Sequence, residues 1–166
     1  MKTQLAAALV LFVICACSNQ HKNSGSDNEA EFNSFLRSWE TTQDAFINGD
    51  PAKWKANSSQ GPDATIFGGF GGFEKGWDQV GPRYDWASSQ FHASNATKTV
   101  EYLSTGVSDG LAFSVSIERS RVQTGAQSKA GELALRVTQI FRKENGSWKL
   151  LHRHADPLVE KKAPDA

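Results

Sequence analysis

The order of hydrophobic periods along the chain predicts an α+β fold, with helices first and a hairpin-linked antiparallel sheet after them. Two observations carry this. Apolar residues keep helical spacing through the first half of the chain, at Phe32, Phe35, Leu36, Trp39, Phe46 and Ile47 and again at Val80, Tyr84, Ala87 and Phe91. Beyond His92 the pattern changes to four β-rich runs, over 97–107, 111–123, 132–143 and 147–155.

Ser26-Asp-Asn-Glu29 is a capping-box pattern and predicts a long amphipathic helix over 29–48. Gly49 supplies a left-handed cap at its end, and Asp50-Pro51 then opens a short second helix that carries Trp54. Ala64-Thr-Ile-Phe67 is a short strand candidate that runs into a glycine segment, 68–76. A third helix follows from Trp77, with Pro82 either kinking it or starting it. Ser108-Asp-Gly110, a longer connection over 124–131, and Glu144-Asn-Gly146 separate the four strands. Asn145-Gly146 is a strong hairpin signal.

The first residues read as an address. Lys2 precedes an unbroken apolar stretch from Leu5 to Ala16, too short as a helix to cross a hydrocarbon core of ~30 Å. Ile14-Cys-Ala-Cys17 resembles the bacterial lipobox and makes Cys17 the expected lipidation site; ordinary cleavage near Ala16 is the alternative. With Ser18 next, the expected location is the cell envelope, lipid-anchored at the periplasmic face of the outer membrane. The expected organisation is a signal peptide over 1–16, a flexible tether over 17–28, one domain over 29–158 and a disordered tail over 159–166.

The 166 residues are 39% hydrophobic, and 18 Lys plus Arg balance 18 Asp plus Glu. That leaves no basic excess to neutralise phosphates, so no nucleic-acid partner is expected. The glycine segment lacks the Gly-Lys-Ser/Thr ending of a phosphate loop, which excludes a nucleotide reading. The two Cys form no metal-ligand spacing, and no metal or other cofactor is expected.

Phe67-Gly-Gly-Phe-Gly-Gly, Gly76-Trp-Asp-Gln-Val-Gly-Pro-Arg, Asp85-Trp-Ala and the terminal run from Phe141 to Asp156 together resemble the SnoaL-like branch of the nuclear transport factor 2-like superfamily. The resemblance covers about residues 30 to 158. It implies a cystatin-like cone, with N-terminal helices packed in a curved antiparallel sheet, a pocket at the mouth and a homodimer. It supplies no reaction, because the superfamily includes ketosteroid isomerase, scytalone dehydratase, polyketide cyclases and inert binding modules.

On the last strand, alternation places Trp148, Leu150, His152, His154 and Asp156 on one face, and Arg153 and Ala155 on the other. Two imidazoles and a carboxylate on a pocket wall suit general acid–base chemistry near neutral pH, so His152, His154 and Asp156 are the catalytic candidates. The blander role is to bond backbone groups or face a dimer partner. A metal reading of the same trio lacks a further ligand cluster elsewhere.

Glu118, Arg136 and Thr138 are polar residues inside otherwise apolar strands and are pocket-binding candidates. An Arg in the cone holds an anionic or carbonyl-bearing ligand, whereas a structural Arg136 pairs with Glu118 or Glu132. Trp39, Asp63 and Tyr84 complete the expected pocket set, Trp39 also being a plain core position. The expected function is binding of a small, partly apolar molecule. An isomerase or dehydratase and a non-catalytic interaction module are the alternatives.

Overall fold

The computed structural model describes residues 24–92, 95–126 and 129–160. The predicted signal segment, Cys17, the first part of the tether and positions 161–166 of the predicted tail lie outside the described residues.

Helix α1 (Ser24–Ile47) begins inside the segment expected to be a tether, with Asp27 in its first turn matched to the positive end of the helix dipole. Gly49 takes φ of +89°, and Asp50 Oδ1 accepts from the Ala52 amide at 2.9 Å, which turns the chain into α2 (Ala52–Ala56). Strands β1 (Thr65–Phe67) and β2 (Glu74–Lys75) flank the glycine segment, and α3 (Trp77–Ser89) follows. Pro82 lies inside α3. It has no N–H to donate to the carbonyl of Asp78, four residues back on an exposed turn of the helix.

Strands β3 (Lys98–Ser108), β4 (Leu111–Val122), β5 (Gly131–Glu144) and β6 (Ser147–Pro157) fall within two residues of their expected bounds. Asn145 and Gly146 both take positive φ between the paired Glu144 and Ser147, the two-residue hairpin that the dipeptide specifies. The sheet order is β2-β1-β6-β5-β4-β3. It is mixed rather than purely antiparallel, because β1 runs parallel to β6.

The helices cover one face. Phe32, Trp39 and Ile47 of α1, Trp54 of α2 and Tyr84 of α3 form one buried cluster with Phe141 of β5 and with Trp148 and Leu150 of β6. Phe32 and Phe141 are wholly buried with their rings 5.4 Å apart, edge to face. Each such ring contributes up to about 3 kcal/mol of apolar burial. This cluster fixes the closed side of the cone.

Candidate functional site

Between α1, α2, α3 and the inner face of the sheet lies a cavity of about 100 Å³. Its walls are largely aromatic, from Phe46, Trp54, Tyr84 and Phe91. The half-exposed lining residues Gly68, Gly69, Phe70, Arg83 and Leu133 mark its mouth. Gly69 is at this place for steric reasons, since a Cβ there meets the Leu135 side chain at 3.3 Å. Phe70 packs on Phe91 and Trp86 at 5.7 and 5.5 Å, and Arg83 donates to the Gly71 carbonyl at 2.8 Å, which together seat the glycine segment over the opening.

The deep end is ionic. Arg153 of β6 donates to both oxygens of Glu118 on β4, each at 2.8 Å, and Lys98 Nζ of β3 donates to Glu118 Oε2 at 2.8 Å and to Gln43 Oε1 at 3.2 Å. All three side chains are at most 7% exposed. Burial alone raises the Glu118 pKa, but the charges and hydrogen bonds of Arg153 and Lys98 outweigh it and hold the carboxyl at about 2. Burial pushes the Lys98 ammonium down against the opposing pull of Glu118. It also pushes the Tyr84 phenol up, the nearby Trp54 and Ser58 side chains opposing. Gln139, its amide oriented to satisfy both neighbours, accepts from Arg153 Nη1 at 3.0 Å and from Trp39 Nε1 at 3.3 Å.

Arg153 and Lys98 are the residues that sequence reasoning missed. Strict alternation along β6 fails at one β-bulge: Ile140 pairs with His152 but Phe141 with Leu150, which leaves Leu151 as the extra residue. Trp148 and Leu150 point into the core, and past the bulge Arg153 and Ala155 point inward in their place. His152, His154 and Asp156 therefore face outward, a correction to their expected placement on the pocket wall. The adjacent apolar pair Leu150-Leu151 is where the slip falls, though the pair alone does not specify it.

On the outer face His152 Nδ1 lies 2.8 Å from Thr65 Oγ1, and both imidazoles meet the Phe67 ring edge to face. Burial, with the neighbouring His154 charge adding to it, holds the His152 pKa below its usual value. Arg136 pairs with Asp156 on that same face, Nε donating to Oδ1 at 3.2 Å, and Thr138 stands exposed opposite His154. Neither Arg136 nor Thr138 reaches the cone.

Asp63 is also outside the cavity. It accepts from Arg142 Nη1 at 2.5 Å, and that hydrogen bond lowers its pKa. Trp39 is 1% exposed and belongs to the core under α1 rather than to the cavity. Of the expected pocket residues, Tyr84 and Glu118 line it. Among the described residues, no three His, Cys, Asp or Glu side chains come together as a metal-binding group, and no helix is long and apolar enough to cross a membrane.

The outer face also carries unpartnered apolar surface. Leu111, Phe113 and Ile140 are 48%, 41% and 37% exposed. Strand β4 is unusual in turning Ser114, Ser116, Glu118 and Ser120 inward and Leu111, Phe113, Val115 and Ile117 outward.

A family model for the SnoaL-like domain matches residues 39–160. Among solved structures, a nuclear transport factor 2-like superfamily protein from Salmonella enterica serovar Typhimurium superposes with a TM-score of 0.68 at 16% identity, covering 85% of this chain and 98% of that one. A protein from Novosphingobium aromaticivorans described as a candidate scytalone dehydratase gives 0.64 at 15% identity, covering 81% and 89%. A candidate dehydratase of the same superfamily from Streptomyces avermitilis gives 0.63 at 14% identity, covering 81% and 98%. At these identities the likeness shows the fold alone. No curated protein matches the sequence significantly. With the matched domain running from within α1 through α2, α3 and all six strands, the chain belongs to the SnoaL-like domain family, on a nuclear transport factor 2-like fold.

Proposed function

We propose that the protein is a lipid-anchored envelope protein whose SnoaL-like cone binds a small, partly apolar molecule. The observation that carries this reading is the cavity: an aromatic sleeve closed by a hydrogen-bonded ionic end and open beside Phe70. Such a lining, mostly apolar with few convergent polar groups, is the chemistry of a ligand site. Ile14-Cys-Ala-Cys17 and the apolar stretch before it support the anchor, and Ser18 supports the outer membrane. The apolar stripe of Leu111, Phe113 and Ile140 supports a homodimer through the outer face of the sheet.

Binding accounts for the site better than acid–base catalysis. Glu118 is the single carboxylate lining the cavity among the described residues, and it accepts three hydrogen bonds from cations. Held ionised at about pH 2, it makes a poor base. The two imidazoles once expected there are on the other side of the sheet.

The test is mass spectrometry of protein purified from its host's membranes, under native and denaturing conditions, beside Ala87→Leu. Ala87 lines the cavity, so the larger side chain occupies ligand space. The expected result is a small molecule released from the wild type and absent from the variant. Equal ligand content in both proteins, or none in the wild type, refutes the reading.

A further inference from the structure

The charges that line the cavity do not cancel. Arg83, Lys98 and Arg153 face it against the one carboxylate of Glu118. Arg83 has its own counter-ion in Glu74, Nε to Oε1 at 3.3 Å, and it sits at the mouth. At the deep end two cations share one carboxylate, because Glu118 takes both the guanidinium fork of Arg153 and the ammonium of Lys98. Asp44 lies near Lys98, where it accepts from the backbone amide at 2.7 Å rather than from Nζ.

A buried indole donor points the same way. Trp54 is 2% exposed and lines the cavity, and its Nε1–H makes no well-formed hydrogen bond, the Tyr84 hydroxyl being its polar neighbour. Arg153 gives Nη1 and Nη2 to Glu118. The guanidinium carbon lies 5.4 Å from the centre of the Trp54 ring, so these donors share one end of the cavity. A buried donor without an acceptor costs about 1–3 kcal/mol, and a cation without a full counter-charge costs more. A ligand oxyanion relieves both, and a neutral ligand relieves at most one.

Building on the binding reading above, we infer that the cone takes a small monocarboxylate, its carboxylate seated on Arg153, Lys98 and Trp54 and its apolar body against Phe46, Tyr84 and Phe91. Size sets the limit on that body. An apolar cavity of about 150 Å³ holds benzene. The space here is about 100 Å³ and opens beside Phe70, which suits a short-chain acid whose body reaches toward the mouth better than a bulky fused-ring ligand.

Titration calorimetry on the full-length protein, with isovalerate against its neutral isostere isovaleramide and with 3-methylbutanol as an uncharged apolar probe, tests this. Isovalerate is expected to bind about tenfold or more tightly than isovaleramide, as charge-assisted bonds require. Trp54→Phe keeps an aromatic wall and removes the N–H, and is expected to weaken isovalerate several-fold and by more than it weakens 3-methylbutanol. Lys98→Met leaves the Arg153–Glu118 fork intact and is expected to bring isovalerate to the level of the amide. Amide or alcohol bound as tightly as isovalerate overturns the anion inference and leaves the small-molecule pocket standing. Binding of none of the three probes overturns both.

Discussion

Glu118→Gln removes the one negative charge at the deep end of the cavity and leaves Arg153 and Lys98 buried side by side at no more than 7% exposure. Two estimates of the cost agree in order of magnitude. Breaking a buried ion pair by deleting one partner costs about 3–5 kcal/mol. Independently, lowering the Glu118 pKa from 4.5 to about 2 corresponds to about 3 kcal/mol of folded-state stabilisation of the charged form. For a domain of this size that is a fall of about 10 °C in thermal midpoint.

The sign with pH follows from the same shift. The folded pKa lies below the unfolded one, so the contribution is fully present above about pH 4.5 and disappears as pH falls toward 2. Circular-dichroism melts of wild type and Glu118→Gln across pH 2–7 should therefore differ most at neutral pH and converge near pH 2. Converting the whole cluster to apolar groups, Glu118→Leu with Lys98→Met and Arg153→Met, should recover most of the loss, because it leaves no unpaired charge. A neutral-pH difference below about 3 °C, or one that persists unchanged at pH 2, refutes the account of the cluster.

Three further outcomes are expected. Cys17→Ser should convert a lipid-modified, membrane-associated protein into an unprocessed or released one, with intact-mass analysis of the membrane-purified wild type showing the modification. Phe113→Glu places a charge in the apolar stripe of the outer face and should halve the sedimenting mass of the wild type at high micromolar concentration. Arg136→Met and His154→Gln should leave ligand content in the cone unchanged. The thermal cost should be small, since the Arg136–Asp156 pair is 54% and 40% exposed and such pairs contribute at most about 1 kcal/mol; loss of ligand in either variant contradicts the outward placement.

The α+β order, the two Gly-containing hairpins, the strand limits and the helix corner at Gly49 to Pro51 are all legible in the residues themselves. Each rests on short-range chemistry: periodicity, positive-φ residues and caps act within a few positions of the residues that encode them. Alternation also groups Arg136, Thr138 and Ile140 on one face of β5 against Leu135, Val137 and Phe141 on the other, but it does not say which face looks into the cone: the expected inward Arg136 and Thr138 are exposed.

Which charges meet is settled only by how the strands pack together. Lys98, Glu118 and Arg153 come from three strands, and no spacing in the chain announces that they converge on one carboxylate. Their meeting depends on the single extra residue Leu151, because a one-residue slip turns every later side chain on β6 to the opposite face. That slip moves His152, His154 and Asp156 out of the cone and brings Arg153 in. A bulge is set by how β5, β6 and β1 pair and bend together, a non-local balance of hydrogen bonds and packing that no short stretch of β6 contains.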